Sequence, residues 1–88
     1  RIPFGSLVEL GILKPGTTLF DPKRKNRAKI MIDGSIKHNE TEGSIHKIAA
    51  KIMGTESYNG WTYWYCDLNG VIVPIDSLRQ KFISSKQI

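Results

Sequence analysis

Two stretches of this 88-residue chain carry residue types whose spacing can do chemistry. Tyr58-Asn59-Gly60-Trp61-Thr62-Tyr63-Trp64-Tyr65 places five aromatic side chains within eight positions. Taken as the start of a strand over 61–68, alternation predicts Trp61, Tyr63 and Tyr65 on one face and Thr62, Trp64 and Cys66 on the other. One face of a small sheet must cover the core, and Trp64, Cys66 and Leu68 are assigned to it. The opposite face then shows an aromatic row suited to base stacking or to wedging into a disturbed duplex. Beside it, the Asn59 amide both donates and accepts, as an adenine edge requires. The alternative is that both faces are packed.

The second stretch is cationic. Lys23, Arg24, Lys25, Arg27 and Lys29 fall within seven residues at the mouth of an expected hairpin. Such a cluster neutralises phosphates and gains affinity from released counterions, or else it is a solvated loop. Two smaller signals accompany it. Glu42-Gly43-Ser44-Ile45-His46-Lys47 opens a helix, where free amides welcome a phosphate. There Ser44 can donate to a ligand and Gly43 allows close approach, unless Ser44 merely caps its own helix. His46 and Lys47 lie off that helix's apolar stripe and face solvent or a ligand. Arg79 can fork two bonds to guanine or phosphate, or pair with Asp76 one turn earlier.

Catalysis finds little support. Cys66 and His46 are the only thiol and base of interest, and Cys66 is expected to be an inert core residue. Two histidines and one cysteine make no metal site, and no glycine-rich phosphate loop is present.

The elements that must position these residues follow from patterning. Ser6-Leu7-Val8-Glu9 has capping-box spacing and predicts a short first helix from about 4–6 to 10, closed by Gly11. Strands are expected over 17–20 and 28–32, with Asp33-Gly34 as a two-residue turn into a strand over 35–37. Residues 38–43 read as a loop. Ile45, Ile48, Ala49 and Ile52 fall at i, i+3, i+4 and i+7, so a helix runs from Ser44 to Met53 and ends at Gly54. After the 61–68 strand, Asn69-Gly70 turns into a partner over 71–73. Pro74 suits the first turn of a last helix with the stripe Ile75, Leu78 and Phe82, and the tail over 83–88 is expected to fray. The expected fold is α+β, a single small domain of β-hairpins with three short helices in the order α-β-β-β-α-β-β-α.

Composition bounds the reading. Thirteen Lys and Arg against eight Asp and Glu give +5, a balance that attracts polyanions. No apolar run nears the roughly 18 residues of a membrane span, and the one cysteine forms no internal disulfide. A start at Arg1 without Met is expected of a piece of a longer chain.

Four motifs carry a resemblance: Gly43-Ser44-Ile45-His46, Asn59-Gly60-Trp61-Thr62-Tyr63-Trp64, Pro74-Ile75-Asp76-Ser77-Leu78-Arg79 and, near the start, Leu13-Lys14-Pro15-Gly16-Thr17. Over about residues 2–82 the chain resembles the restriction-enzyme/adenine-methylase-associated (RAMA) domain, in the form found at the C-terminus of cell-cycle-regulated adenine methyltransferases of alphaproteobacteria. The resemblance implies a parent that transfers a methyl group from S-adenosylmethionine to N6 of adenine, typically in GANTC. It places that cofactor and an aspartate-proline-proline-tyrosine-type motif in a separate N-terminal catalytic domain, leaving residues 1–88 without cofactor or activity of their own. By carry-over, Ser44, Asn59, Trp61 and Arg79 make or support the grip on DNA. The expected partners are double-stranded DNA, the N-terminal catalytic domain and a second copy of the full-length protein, with no membrane. The expected location is the bacterial cytoplasm, at the nucleoid. A module that chiefly joins subunits, with incidental DNA contact, is the competing expectation.

Overall fold

A computed structural model describes residues 2–85. Helix α1 (Phe4–Glu9) is followed by four short strands, β1 (Thr18–Phe20), β2 (Arg27–Ile30), β3 (Ile36–His38) and β4 (Thr41–Gly43). Helices α2 (Ile45–Met53) and α3 (Gly60–Tyr63) come next, then strands β5 (Tyr65–Leu68) and β6 (Val71–Pro74) and helix α4 (Ile75–Ser85). The six strands form one sheet in the order β4-β3-β2-β1-β5-β6, with every neighbouring pair antiparallel. The α+β class is as expected, with a fourth helix added.

One face of the sheet is covered. Along β2, Ala28 and Ile30 are buried while Arg27 and Lys29 face out, the period-2 pattern of a half-buried strand. Leu7, Leu19, Ile30, Ile36, Ile48, Trp64, Cys66 and Ile75 lie at the centre of the core, each at most 1% exposed. Leu78 and Phe82 of α4 pack against it from outside.

Helix α2 forms as its stripe demands. Ser44 caps it by accepting from the Lys47 amide at 3.0 Å, and Gly54 ends it in the left-handed region at φ 73°. The Asn69-Gly70 hairpin also forms, both residues at positive φ.

Several expectations are overturned. The 61–68 strand starts only at Tyr65, because Asn59 accepts from the Trp61 amide at 3.0 Å and caps a one-turn helix. Strand parity therefore does not govern Trp61, and no aromatic row is displayed: Trp61, Tyr63 and Trp64 are all buried. Residues 41–43 are an edge strand rather than loop, brought back by a tight turn in which Asn39 takes φ 54°. The Ser6 capping box does not form, since α1 begins at Phe4 after Pro3 with no side-chain cap. Strand β2 stops at Ile30, so the link to β3 is longer than two residues, with Asp33 accepting from the Ser35 amide and hydroxyl. Pro74 closes β6 instead of opening α4, and α4 runs on to Ser85, past the point where fraying was expected. The remainder of that tail, 86–88, lies outside the described residues.

Candidate nucleic-acid interface

Helix α3 is locked against the start of α2 by three contacts. The Gly60 amide donates to His46 Nδ1 at 2.9 Å. The Trp64 indole Nε1–H donates to the Ile45 carbonyl at 3.0 Å, fully buried. Gly60 itself sits on the α2 backbone, where a Cβ would lie 2.5 Å from the Ile45 carbonyl carbon and oxygen. Only glycine permits that approach.

This junction forms one wall of an open groove of about 910 Å³. Residues 2–5 at the start of α1, Asp33 and Gly34 of the β2–β3 turn, Ser44 to His46, Ser57 to Asn59, Trp61 and Arg79 line it. The starts of α1, α2 and α3 thus open on the same space. Gly34, at φ 86°, lies so close to α1 that a Cβ there would meet Gly5 Cα at 2.7 Å.

Ser44, the Asn59–Trp61 turn and Arg79 come from three separate parts of the chain, and all four residues reach this groove, as does His46. Ser44, His46 and Asn59 are exposed, whereas Trp61 is only 5% exposed. The Trp61 ring meets Phe4 edge-on at 6.0 Å between centroids, and the Arg79 guanidinium lies over it at 4.6 Å. Trp61 is therefore a core residue that seats Arg79 by cation–π attraction. Arg79 also pairs with Asp76, as one of the two readings of its spacing anticipates.

The basic cluster sits elsewhere. Lys23, Arg24 and Lys25 occupy the exposed β1–β2 connection and Arg27 opens β2; neither they nor Lys47 line the groove. The contacts that shape that connection are barely marked in the local residue pattern. Buried Asp21 accepts from the Lys25 amide at 2.7 Å and from the Asn26 side chain at 2.9 Å. Burial opposes its ionisation, but the bonds from Asn26, Lys25 and Arg24 outweigh it and hold the carboxyl below the ordinary range. Arg24 takes φ 58°, and both Arg24 and Arg27 lie over the Phe20 ring, at 5.4 and 5.7 Å. An Asp-Pro start with Asn five residues later was the only available signal for this closed loop.

Cys66 is fully buried, and burial pushes its thiol up, with the Asp67 charge adding to the effect. It is a packing residue. Among the described residues no three His, Cys, Asp or Glu side chains group as metal ligands, and no helix is long and apolar enough to cross a membrane.

The family model described as Restriction Enzyme Adenine Methylase Associated, RAMA, matches residues 1–87. The chain belongs to the RAMA family. A relative of this RAMA domain is the Type II methyltransferase M.HinfI of Haemophilus influenzae, 37% identical over 82 residues. The match covers 93% of this chain but 23% of the relative, so the RAMA domain spans about a quarter of that protein's length.

Proposed function

We propose that this RAMA domain is the DNA-gripping module of a site-specific N6-adenine DNA methyltransferase, and that the groove beside α2 and α3 is its principal contact. The observation that supports this reading best is the convergence on one groove of Ser44, Asn59, Trp61 and Arg79, residues that the sequence motifs mark. A net charge of +5 and the exposed Lys23-Arg24-Lys25 connection supply the sequence-independent attraction that duplex DNA requires. In the parent chain, methyl transfer from S-adenosylmethionine belongs to a separate catalytic domain. The RAMA domain then holds the duplex while that domain extracts the target adenine. A GANTC-type target and a place at the nucleoid in the bacterial cytoplasm complete the proposal.

The test is a titration of fluorescent duplex DNA at two salt concentrations, with Arg79→Ala as the comparison. The unsubstituted domain should bind with a salt-dependent constant, and Arg79→Ala should weaken binding about tenfold or more, the range for a hydrogen bond to a charged group. No binding at low salt by the unsubstituted domain refutes the proposal.

A further inference from the structure

Four polar side chains of the groove, Ser44, His46, Asn59 and Arg79, share a property that their residue types alone do not reveal. Ser44 Oγ accepts from the Lys47 amide at 3.0 Å, so its hydroxyl hydrogen remains to donate. His46 Nδ1 accepts from the Gly60 amide at 2.9 Å. An imidazole nitrogen that accepts carries no proton, so the neutral ring must hold its hydrogen on Nε2. Asn59 Oδ1 accepts from the Trp61 amide at 3.0 Å, which fixes the amide orientation and leaves the NH2 group as its outward function. Arg79 has donors only, and its Nε is buried without a hydrogen-bond partner. In each of the first three residues, the fold has occupied an acceptor with a backbone amide of α2 or α3.

We infer that the groove is a donor-presenting surface: Ser44, His46, Asn59 and Arg79 together select a hydrogen-bond acceptor, either the phosphodiester oxygens or the O6/N7 edge of guanine. This rests on the DNA-binding reading of the groove and narrows it. Adenine is a poorer match, because its major-groove edge pairs one acceptor with an amino donor, and the Asn59 oxygen that would receive that donor is already engaged by the Trp61 amide. Asp33, which also lines the groove, is the exception in sign. Its Oδ1 accepts from Ser35, which holds its carboxyl below the usual range, and its negative charge disfavours an anion that strays towards that side.

Asn59→Asp tests the inference directly. Aspartate caps a helix as well as asparagine does, so α3 and the melting temperature should be retained. The substitution turns the outward donor into an acceptor, and affinity for duplex DNA should fall at least about tenfold, the range for hydrogen bonds to charged partners. Gln80→Glu adds the same charge at an exposed position outside the groove and should change affinity no more than about twofold, as a surface charge does. His46→Asn keeps an acceptor for Gly60 at the Nδ1 position but removes the Nε2 donor, and should weaken binding without lowering the melting temperature. Two modified duplexes identify the acceptor. Methylphosphonate linkages remove the anionic oxygens, and 7-deazaguanine removes N7; loss of affinity on either supports the inference and names its source. Undiminished binding by Asn59→Asp, or by both modified duplexes, overturns it. Failure of the unsubstituted domain to bind DNA is a separate result that overturns the DNA reading itself.

Discussion

Gly60→Ala should destabilise the domain severely, although the substitution improves helix propensity. Glycine inside a helix costs roughly 0.5–1 kcal/mol relative to alanine, so local preference alone predicts stabilisation. The tertiary contact predicts the reverse. The new Cβ would lie 2.5 Å from the Ile45 carbonyl and 2.8 Å from the His46 amide nitrogen, all backbone atoms with no rotamer to escape into. Restoring ordinary contact at 3.4 Å moves α3 from α2 by about 0.9 Å. The Gly60–His46 and Trp64–Ile45 bonds, at 2.9 and 3.0 Å, would then lengthen beyond hydrogen-bonding range. Overpacking of this kind costs about 1–3 kcal/mol. Each bond lost with a buried group left unpaired costs about 1–3 kcal/mol more. The expected loss is roughly 3–9 kcal/mol, which at about 4–8 °C per kcal/mol lowers the melting temperature by about 12 °C or more. Urea titration followed by circular dichroism measures it. A Gly60→Ala domain that melts at or above the parent temperature would show that α3 is free to shift, and the account of the α2–α3 lock would be wrong.

Three further expectations follow. Trp61→Ala should lower stability by about 3–5 kcal/mol, as for other buried tryptophans, and should weaken DNA binding through the lost Arg79 seat; a thermal melt unchanged from the parent would contradict this. Replacing Lys23, Arg24 and Lys25 together with Ala should reduce the slope of log K against log salt by up to about 0.9 per lost phosphate contact, equally for all DNA sequences. An unchanged slope would mark the connection as solvated surface. Because the Asp21 carboxyl is held below its unfolded value, its contribution to stability is present above that unfolded value, near pH 3.9, and is lost as pH falls through the folded one. Acid unfolding of Asp21→Asn should therefore be less steep below about pH 4 than that of the parent, and an identical pH profile would remove Asp21 from the account.

Legibility in the sequence tracked the length and regularity of each element. Helix α2 announces itself through four apolar positions at helical spacing with a cap at each end, and the β5–β6 hairpin through Asn69-Gly70 at its turn. Helix α3 does not, because four residues are too few to show a period and Asn59-Gly60 reads equally as a turn or as a cap and first helical residue. Its helical form depends on Trp64 reaching the Ile45 carbonyl, 19 residues away. Strand β4 is Thr-Glu-Gly at a sheet edge, where Thr alone favours a strand and the ladder with β3 defines it. The groove was legible only in part. Ser44, His46, Asn59, Trp61 and Arg79 stand out by residue type and motif, but Asp33, Gly34 and the start of α1 are brought there by the close approach of Gly34 to Gly5.

The sheet order has a kinetic consequence. Strands β1 to β4 are joined in sequence order and β5–β6 is a tight hairpin, so both parts can form from local contacts. They meet at one ladder pair, Phe20 with Tyr65, across 45 residues of chain. Loop closure of that length is slow and is rewarded only once the two parts have docked. Ser44 and His46 follow the first part in the chain, while Asn59, Trp61 and Arg79 flank the second, so the groove exists only after that docking. In stopped-flow refolding, competence to capture DNA should lag behind the appearance of strand signal, and simultaneous appearance would show that the seam closes no later than its parts.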